Sequence, residues 1–281
     1  MKKKSRDNDF HIDGEHIIVN CWNYYFRQVA AMVLYHYDTE EYRDTVFILG
    51  TYIVTPLSDL KKRYKNKKII VYQMEQLMFS KDNSWCNTGK TIKNLKSVQN
   101  DNHVKIWDMD YVNKVFLKDH GVKIDEIVPL KFTPPLEELD CSVEPEVDLF
   151  FYGNLNKTRA AVLANLSYSF YNENISTMWI SNLDFESQKR YMERSKIILN
   201  IHHCKDYNRQ EQPRIFYALM NKKCVVSQPS TKNYFGEAIV EANDIVKAVK
   251  NLIKDDKYKI QGHAGYSIFK EINKKPWIFP E

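Results

Sequence analysis

Residues 147–159 decide the fold, and they read VDLFFYGNLNKTR. An apolar run leads into Gly153, and a stretch of helical composition begins at residue 157. A strand that turns through a glycine into a helix is the repeating unit of α/β proteins. The glycine lets a ligand approach the backbone, and the first turn of the helix offers unpaired N–H groups to an anion. The turn, with Gly153, Asn154 and Asn156, is therefore a candidate phosphate site, although such turns are common.

The same alternation of short apolar runs and helical stretches extends along the chain in both directions. Strands are predicted at 16–20, 46–49, 68–73, 104–107, 124–128, 147–152, 176–180, 196–201 and 224–227. Helices are predicted at 24–37, 57–65, 91–98, 111–120, 157–168, 211–220, 243–253 and 258–273. The pattern predicts an α/β protein.

Residues 129–146 interrupt this pattern. They include four prolines, their second half is acidic, and no apolar period survives. Such a stretch is typical of an interdomain linker. We predict an N-terminal Rossmann-like lobe at 1–130, a linker at 131–146 and a C-terminal Rossmann-like lobe at 147–281, facing each other across a cleft. Ligands in such sheets bind outside the carboxyl ends of the strands.

The composition is that of a globular protein, with 43% hydrophobic and 27% charged residues in 281. No apolar stretch is long enough to span a bilayer, and no apolar segment of a signal peptide follows the basic start. The five cysteines lack CxxC spacing, which favours a reducing cytoplasm. A formal net charge of +5 permits an anionic nucleotide or DNA as partner and requires neither.

Three further polar clusters of the second half are candidates for the same strand-end edge. His202 and His203 end one strand, and since adjacent residues point to opposite sides, we expect one to face the cleft and one to pack inward rather than a shared metal. Glu211 and Arg214 open a helix, where Glu211 suits ribose hydroxyls and Arg214 a diphosphate. A structural pair between the two is the alternative. Another polar cluster, suited to sugar or phosphate contacts, contains Ser227, Gln228 and Ser230.

In the first half, Glu75 follows a predicted strand among Tyr72, Gln73 and Gln76. A carboxylate beside amides suits a site for hydroxyl groups, with Glu75 as general base or simply as a cap of the next segment. Asn23 lies after the first predicted strand, at the same edge.

Two further segments have competing interpretations. Asp108 and Asp110 form an Asp-x-Asp pair that suits a divalent metal against a diphosphate, but Asp110 is also placed to cap the helix beginning at residue 111. The basic run at 61–68 ends a helix, where a solvated helix terminus is a simpler explanation than a nucleic-acid surface.

Seven segments, in register over residues 69–269, resemble a bacterial and viral group of GT-B glycosyltransferases. They are Tyr72–Leu77, Trp107-Asp108 with Asn113, Val128–Leu130, Phe151–Asn156, Leu199–His202, Glu211 with Arg214, and Val225–Ser227. The resemblance implies two Rossmann-like lobes, with the donor in the C-terminal lobe and the acceptor in the N-terminal lobe. It also implies a nucleotide-sugar co-substrate, with a UDP-sugar as the expected donor, and no required metal or other cofactor.

Carried onto this chain, the resemblance implies that Gly153, Asn154, His202, Glu211, Arg214, Ser227 and Gln228 line the donor site. Two positions depart from the group. Gln228 stands where many relatives have glutamate, and Tyr217 stands where a second paired glutamate would fall. The stereochemical outcome therefore stays open.

The size of the chain is similar to that of phage enzymes that glycosylate hydroxymethylated bases in DNA. We expect a glycosyltransferase whose acceptor is the hydroxymethyl group of a modified base in double-stranded DNA, with Lys81, Lys90, Lys93 and Lys96 as candidate phosphate contacts. The alternatives are a saccharide-directed GT-B enzyme, a metal-dependent Asp-x-Asp transferase and a non-catalytic binding module.

Overall fold

The computed structural model describes residues 10–21, 26–50, 57–79, 87–203, 206 and 208–274. These residues divide into two compact units, with the boundary between Thr133 and Pro134. Each unit is built on one sheet with helices packed against it.

The first unit contains a six-stranded sheet. Its strands are β1 (Phe10–Asp13), β2 (Ile17–Cys21), β3 (Thr45–Leu49), β4 (Lys68–Gln73), β5 (Val104–Asp108) and β6 (Glu126–Ile127), and its helices are α1 (Arg27–Tyr37), α2 (Leu57–Arg63), α3 (Thr88–Lys96) and α4 (Tyr111–Asp119). The strands pair in chain order, and all pairs are parallel except β1 with β2.

Alternate residues of these strands face opposite sides of the sheet, and both sides are buried. Val46 and Ile48 of β3 belong to an aliphatic core that includes residues of α2, α3 and α4. The opposite side is aromatic: the ring of Trp107 lies 5.5 Å from Phe47 and 5.1 Å from Tyr37 of α1, measured between centroids. Burial on both sides explains the nearly continuous apolar runs in the sequence.

The second unit contains a five-stranded parallel sheet. Its strands are β7 (Val147–Tyr152), β8 (Thr177–Ile180), β9 (Ser195–Asn200), β10 (Cys224–Ser227) and β11 (Val240–Glu241), and its helices are α5 (Lys157–Tyr171), α6 (Phe185–Glu193), α7 (Gln212–Met220), α8 (Ile245–Ile253) and α9 (Lys257–Ile272). The strand order is β11-β10-β9-β7-β8. Helices cover both faces: Leu149 and Phe151 pack in a core with residues of α5 and α8, whereas the Phe150 ring lies 5.9 Å from Tyr191 of α6.

This strand order reverses the direction of the chain at β7. From β7 the chain moves outward to β8 on one side, and it then continues through β9, β10 and β11 on the other. The carboxyl ends of β7 and β9 therefore flank a topological switch point, which is where parallel α/β sheets bind ligands.

The segment predicted as a linker, 131–146, joins the second unit from Pro134 onward. Pro134–Leu136 forms a turn of 3₁₀ helix. The Asn221 side-chain oxygen, just after α7, accepts from the backbone N–H groups of Glu138 and Leu139 at 2.9 and 3.0 Å. These contacts hold the start of the second unit against the end of α7.

Three elements, namely α6, β1 and the two-residue strand β11, escaped the sequence prediction, and one strand was predicted too long. Helix α6 buries only Phe185, Gln188 and Met192, so its apolar face is too sparse for a clear period. Strand β1 has largely exposed residues. The strand predicted at 124–128 pairs only over β6, because Asp125 uses its side chain to accept the N–H of Ile106.

Candidate functional site

The predicted donor residues lie at the carboxyl ends of β7, β9 and β10 and at the start of α7, around the switch point. The turn after β7 is the first component. Gly153 has a φ of +142°, a conformation that side-chain-bearing residues rarely adopt, and a Cβ atom there would overlap Nη2 of Arg214. The absence of a side chain at Gly153 thus admits the arginine.

Asn156 fixes the other end of this turn. Its side-chain oxygen caps α5 by accepting the N–H of Arg159 at 2.8 Å, and its amide nitrogen donates to the carbonyl of His203 at 2.6 Å. The side chain of Asn156 therefore joins the β7–α5 turn to the segment after β9.

Arg159, which the sequence analysis did not assign to the site, is its central structural element. Its guanidinium is almost fully buried and donates to the carbonyls of Asn154, Ile201 and His202 and, at 2.7 Å, to Oε1 of Glu211. Three separate segments are held by this one side chain. Its partners lie 42 to 52 residues away except for Asn154, so no local sequence pattern could have revealed them.

Arg214 is the second buried guanidinium. Its Nη1 donates to Oδ1 of Asn200 at 2.8 Å, the only hydrogen bond that its guanidinium forms with a described residue. Nε is buried and has no hydrogen-bond partner there. The group lies 4.9 Å from the centroid of the Phe151 ring. Burial, together with the charge of Arg159, lowers the pKa of Arg214 to about 10, so it stays a cation at neutral pH.

Glu211 precedes α7 and faces both arginines. Burial alone would raise the pKa of its carboxyl, but the charges of Arg159 and Arg214 outweigh that effect and hold the pKa below its ordinary value. Two guanidinium cations and one carboxylate leave a net positive charge at the site. In place of the alternative, a structural pair between Glu211 and Arg214, the structure shows a hydrogen-bonded pair between Glu211 and Arg159.

The two histidines after β9 are both nearly buried, each with 9% of its surface exposed. Equal burial does not distinguish the two rings, so the expectation that one faces the cleft and one packs inward stays a prediction. Burial lowers the pKa of both rings. The His202 ring lies 3.2 Å from the hydroxyl of Ser230, and its backbone N–H donates to the side chain of Gln228 at 2.9 Å.

The residues at the end of β10 and after it differ in their exposure to solvent. Ser227 is fully buried: its hydroxyl accepts from Asn200 at 3.0 Å and donates to the carbonyl of Gln228 at 2.8 Å. It positions Asn200, and through it Arg214, and does not face a ligand. Gln228 and Ser230 remain partly exposed, and the backbone N–H of Ser230 donates to Glu241 at 3.2 Å.

In the first unit, Tyr72 lies in the core and corrects one prediction. Its hydroxyl donates to the carbonyl of Val128 at 2.5 Å, and the side chain has no exposed surface, so it cannot contact an acceptor. Gln73 is equally buried and donates to the carbonyl of Glu75 at 2.6 Å. Both residues shape the segment instead of presenting polar groups.

The remaining first-unit residues differ in placement. Glu75 is partly exposed at the end of β4, and Asn113 fixes its backbone by donating to its carbonyl at 2.7 Å. Gln76 is nearly buried beside it. Asn23, like Lys81, lies outside the described residues.

The Asp-x-Asp pair serves the start of α4. Asp110 caps the helix by accepting the N–H of Val112 at 2.8 Å, as predicted, and Asp108 accepts from the N–H of Asp110 at 2.8 Å and from Asn113 at 3.1 Å. Within the described ranges there is no group of three or more His, Cys, Asp or Glu side chains arranged to hold a metal ion.

No protein-family model matches the sequence, and no curated protein matches it. Solved structures share the fold at low identity. Sucrose-phosphate synthase from Thermosynechococcus elongatus aligns with a TM-score of 0.50 and 8% identity, over 82% of this chain and 69% of that one. The N-terminal domain of Candida albicans trehalose-6-phosphate phosphatase aligns with a TM-score of 0.50 and 9% identity, over 81% of this chain and 66% of its own.

The fold is GT-B. The predicted α/β class with two Rossmann-like lobes is thereby confirmed. A mutant of S. aureus TarM solved with fondaparinux, α-GlcNAc-glycerol and UDP aligns with a TM-score of 0.48 and 10% identity, over 85% of this chain and 55% of that one. The chain thus spans about two thirds of the length of the first two structures and about half of the third. In its described part, no helix has the length and apolar character to cross a bilayer.

Proposed function

We propose that this protein is a glycosyltransferase that takes its sugar from a nucleotide-sugar donor bound in the second lobe. The observation that supports this most is Arg214, a buried cation at the switch point whose Nε has no partner among the described residues. A buried donor without a partner is costly, and an anionic ligand removes that cost. A diphosphate, with several acceptor oxygens, matches a planar guanidinium.

The other donor residues surround this cation. The N–H groups after Gly153 are proposed to hold phosphate oxygens, with Asn154 and Asn156 at the same turn. Gln228 and Ser230, which are partly exposed, and His202, which is nearly buried, are proposed to contact the nucleotide or the sugar. Glu211 retains its second carboxylate oxygen for a ribose hydroxyl, since only Oε1 is used by Arg159. A UDP-sugar is the proposed donor, in keeping with the motif resemblance.

In the reaction, negative charge develops on the leaving diphosphate as its bond to the sugar breaks. Arg214 is placed to stabilise that charge, and a cation in a site of restricted solvent access is worth more than one in water. Glu75 is proposed to accept the proton of the acceptor hydroxyl. Its support is the partial exposure of its side chain and the fixed backbone around it.

The acceptor is proposed to be the hydroxymethyl group of a modified base in double-stranded DNA. Its support is electrostatic: the helix α3 of the first lobe presents Lys90, Lys93 and Lys96 without an acidic residue. Such a base must leave the stack or be reached in a groove, and contacts to the phosphate backbone position the duplex.

The test is turnover of a panel of nucleotide sugars by the purified protein, with EDTA present. Each donor is combined with hydroxymethylcytosine-containing duplex, with ordinary duplex and with no acceptor. The DNA is then digested, and the masses of its nucleosides are measured by mass spectrometry. A hexose or pentose adduct on the modified base is expected. Hydrolysis of a donor without DNA modification would keep the transferase and replace the acceptor by a saccharide, and turnover only without EDTA would favour the Asp-x-Asp alternative.

Arg214→Ala is the informative variant, with Arg190→Ala as its control. Arg190 is an exposed arginine of α6 whose removal changes the net charge by the same amount. We expect donor turnover to be lost in the first and kept in the second. Equal activity of the two variants would refute the assignment of the donor site.

A further inference from the structure

Two helices of the first lobe have more lysines than acidic residues. The nine residues of α3 include three lysines, and the nine of α4 include two lysines and one aspartate, which gives the two helices together a net charge of +4. The residues are Lys90, Lys93, Lys96, Lys114, Lys118 and Asp119.

The segments that follow these helices enclose a groove of about 440 Å³, named here the lysine groove. Lys114, Lys118 and Lys123 line it together with the amides of Gln99 and Asn100. Gln99 joins its two sides, since its Nε2 donates to the carbonyl of Gly121 at 3.2 Å and its Oε1 accepts from the N–H of Lys123 at 2.9 Å. The groove is thus a built feature between two fixed segments.

Two of the three groove lysines form no ion pair with a described residue. Lys123 pairs with Asp125 at 3.5 Å, whereas Lys114 and Lys118 form no ion pair in the described part of the chain. The basic run at 61–68 is only partly compensated: Lys61 pairs with Asp101 and Lys67 with Asp44. Lys114 and Lys118 are therefore cations of α4 that an anionic partner can neutralise.

We propose that the lysine groove docks the phosphate backbone of double-stranded DNA. The inference rests on the proposed DNA acceptor. The lysine groove lies before the amino ends of β5 and β6, at the edge of the sheet opposite to the end of β4 and Glu75, so it would hold the duplex backbone away from the modified base. Lys114 and Lys118 are one helical turn apart, about 6 Å along the axis, and the duplex presents a charge every ~1.7 Å of its own axis. When a lysine neutralises a phosphate, the counterions condensed on the DNA are released, and this release provides affinity without sequence preference.

The shape of the groove favours this partner over a lipid surface. A bilayer is entered by apolar side chains that protrude into it, whereas the lysine groove is concave, and its three lysines and two amides stand beside Gly121, Val122 and Ile124. A concave basic surface fits the convex ridge of a phosphodiester backbone.

The experiment measures binding of the full chain to a fluorescein-labelled 30-base-pair duplex of ordinary sequence, by anisotropy, between about 50 and 200 mM salt. The variant is Lys114→Glu with Lys118→Glu. The control is Lys247→Glu with Lys254→Glu, which makes the same charge change on exposed positions of and after α8. Thermal melting of both variants, and the milder Lys114→Gln with Lys118→Gln, guard against misfolding.

We expect the groove variant to bind at least ~10-fold more weakly at the lowest salt, with a salt slope reduced by about two phosphate contacts. The control is expected to change affinity about twofold or less. Equal losses in the two variants, or no duplex binding by the unmodified protein, would overturn the proposal, as would binding to phosphatidylserine vesicles in place of DNA.

Donor hydrolysis without acceptor, measured on the same proteins, separates this proposal from the proposed function. If all variants retain donor hydrolysis and the groove variant binds DNA as tightly as the unmodified protein, only the proposed role of the lysine groove is refuted. Groove-dependent DNA binding without turnover of any donor would refute the transferase and leave the groove standing.

Discussion

Nη2 of Arg159 donates to Oε1 of Glu211 at 2.7 Å, across 52 residues of sequence. Because of this pairing, the two buried arginines have different roles. Arg159 is saturated with protein acceptors, whereas the guanidinium of Arg214 has one hydrogen bond to a described residue, to Asn200. The first is a structural element, and the second is the available cation.

Replacing Arg214 tests that division directly. For Arg214→Gln we expect UDP to bind about 10- to 100-fold more weakly, because a charge-assisted hydrogen bond contributes ~1.5–3 kcal/mol. Stability without ligand should change little, because the lost hydrogen bond is offset by removal of a desolvated charge. Isothermal titration with UDP measures the affinity, with Arg190→Gln as control. Unchanged affinity in Arg214→Gln would contradict the role given to this residue.

Removing Arg159 should act on stability first. Arg159→Met leaves the carboxylate of Glu211 without its hydrogen-bonded partner and three backbone carbonyls without donors. We expect a loss of about 3–5 kcal/mol in the free energy of unfolding, the usual cost of breaking a buried pair. Urea denaturation provides the measurement.

A double variant shows how much of that loss comes from the charge. Adding Glu211→Gln to Arg159→Met should recover part of the stability, because the unpaired carboxylate is gone. Strict additivity of the two single substitutions would show that Arg159 and Glu211 are not energetically coupled.

The glycine of the β7–α5 turn offers a separate test. In Gly153→Ala the new methyl group meets both an unfavourable φ and the guanidinium of Arg214, so we expect weaker UDP binding and a loss of stability of ~1–3 kcal/mol. Gly236→Ala is the control: its φ is also positive, at +53°, but a Cβ there meets no atom within 4 Å. Loss of UDP binding in both variants would point to backbone strain instead of displacement of Arg214.

The two buried histidines predict a pH dependence of stability. Burial, followed by the charge of Arg159, lowers the pKa of His203, and burial also lowers that of His202, from the usual 6.5. The unfolded chain therefore takes up protons first as the pH falls through 6.5, and stability declines there. The decline is bounded by about 1.4 kcal/mol per pH unit for each ring.

Urea denaturation between pH 7.5 and 5.5 measures this slope above the range in which carboxylates titrate. We expect His202→Gln with His203→Gln to flatten it and His263→Gln, an exposed control on α9, to leave it unchanged. The same slope in the double variant would assign the pH dependence to other groups.

The strands of the two sheets were predictable because burial on both faces leaves long apolar runs, and β4, β7 and β10 match their predicted bounds. The cap of α4 by Asp110 was also predictable, because it depends only on residues next to each other in the sequence. The direction in which a side chain points was not predictable. Tyr72 was correctly placed near the end of a strand, but its side chain was not recognised as facing the core. Arg159 was beyond reach, because its contacts exist only after β7, β9 and α7 have assembled.

The contacts at the two ends of α7 have a mechanical consequence. Arg214 lies in the first turn of this nine-residue helix, and Asn221, just beyond its last turn, holds the backbone of Glu138 and Leu139 near the point where the chain enters the second lobe. A helix of this length is a stiff rod of about 13 Å. Arg214 and the segment that begins the second lobe are therefore held at opposite ends of one helix, so a shift of α7 along its axis moves both together.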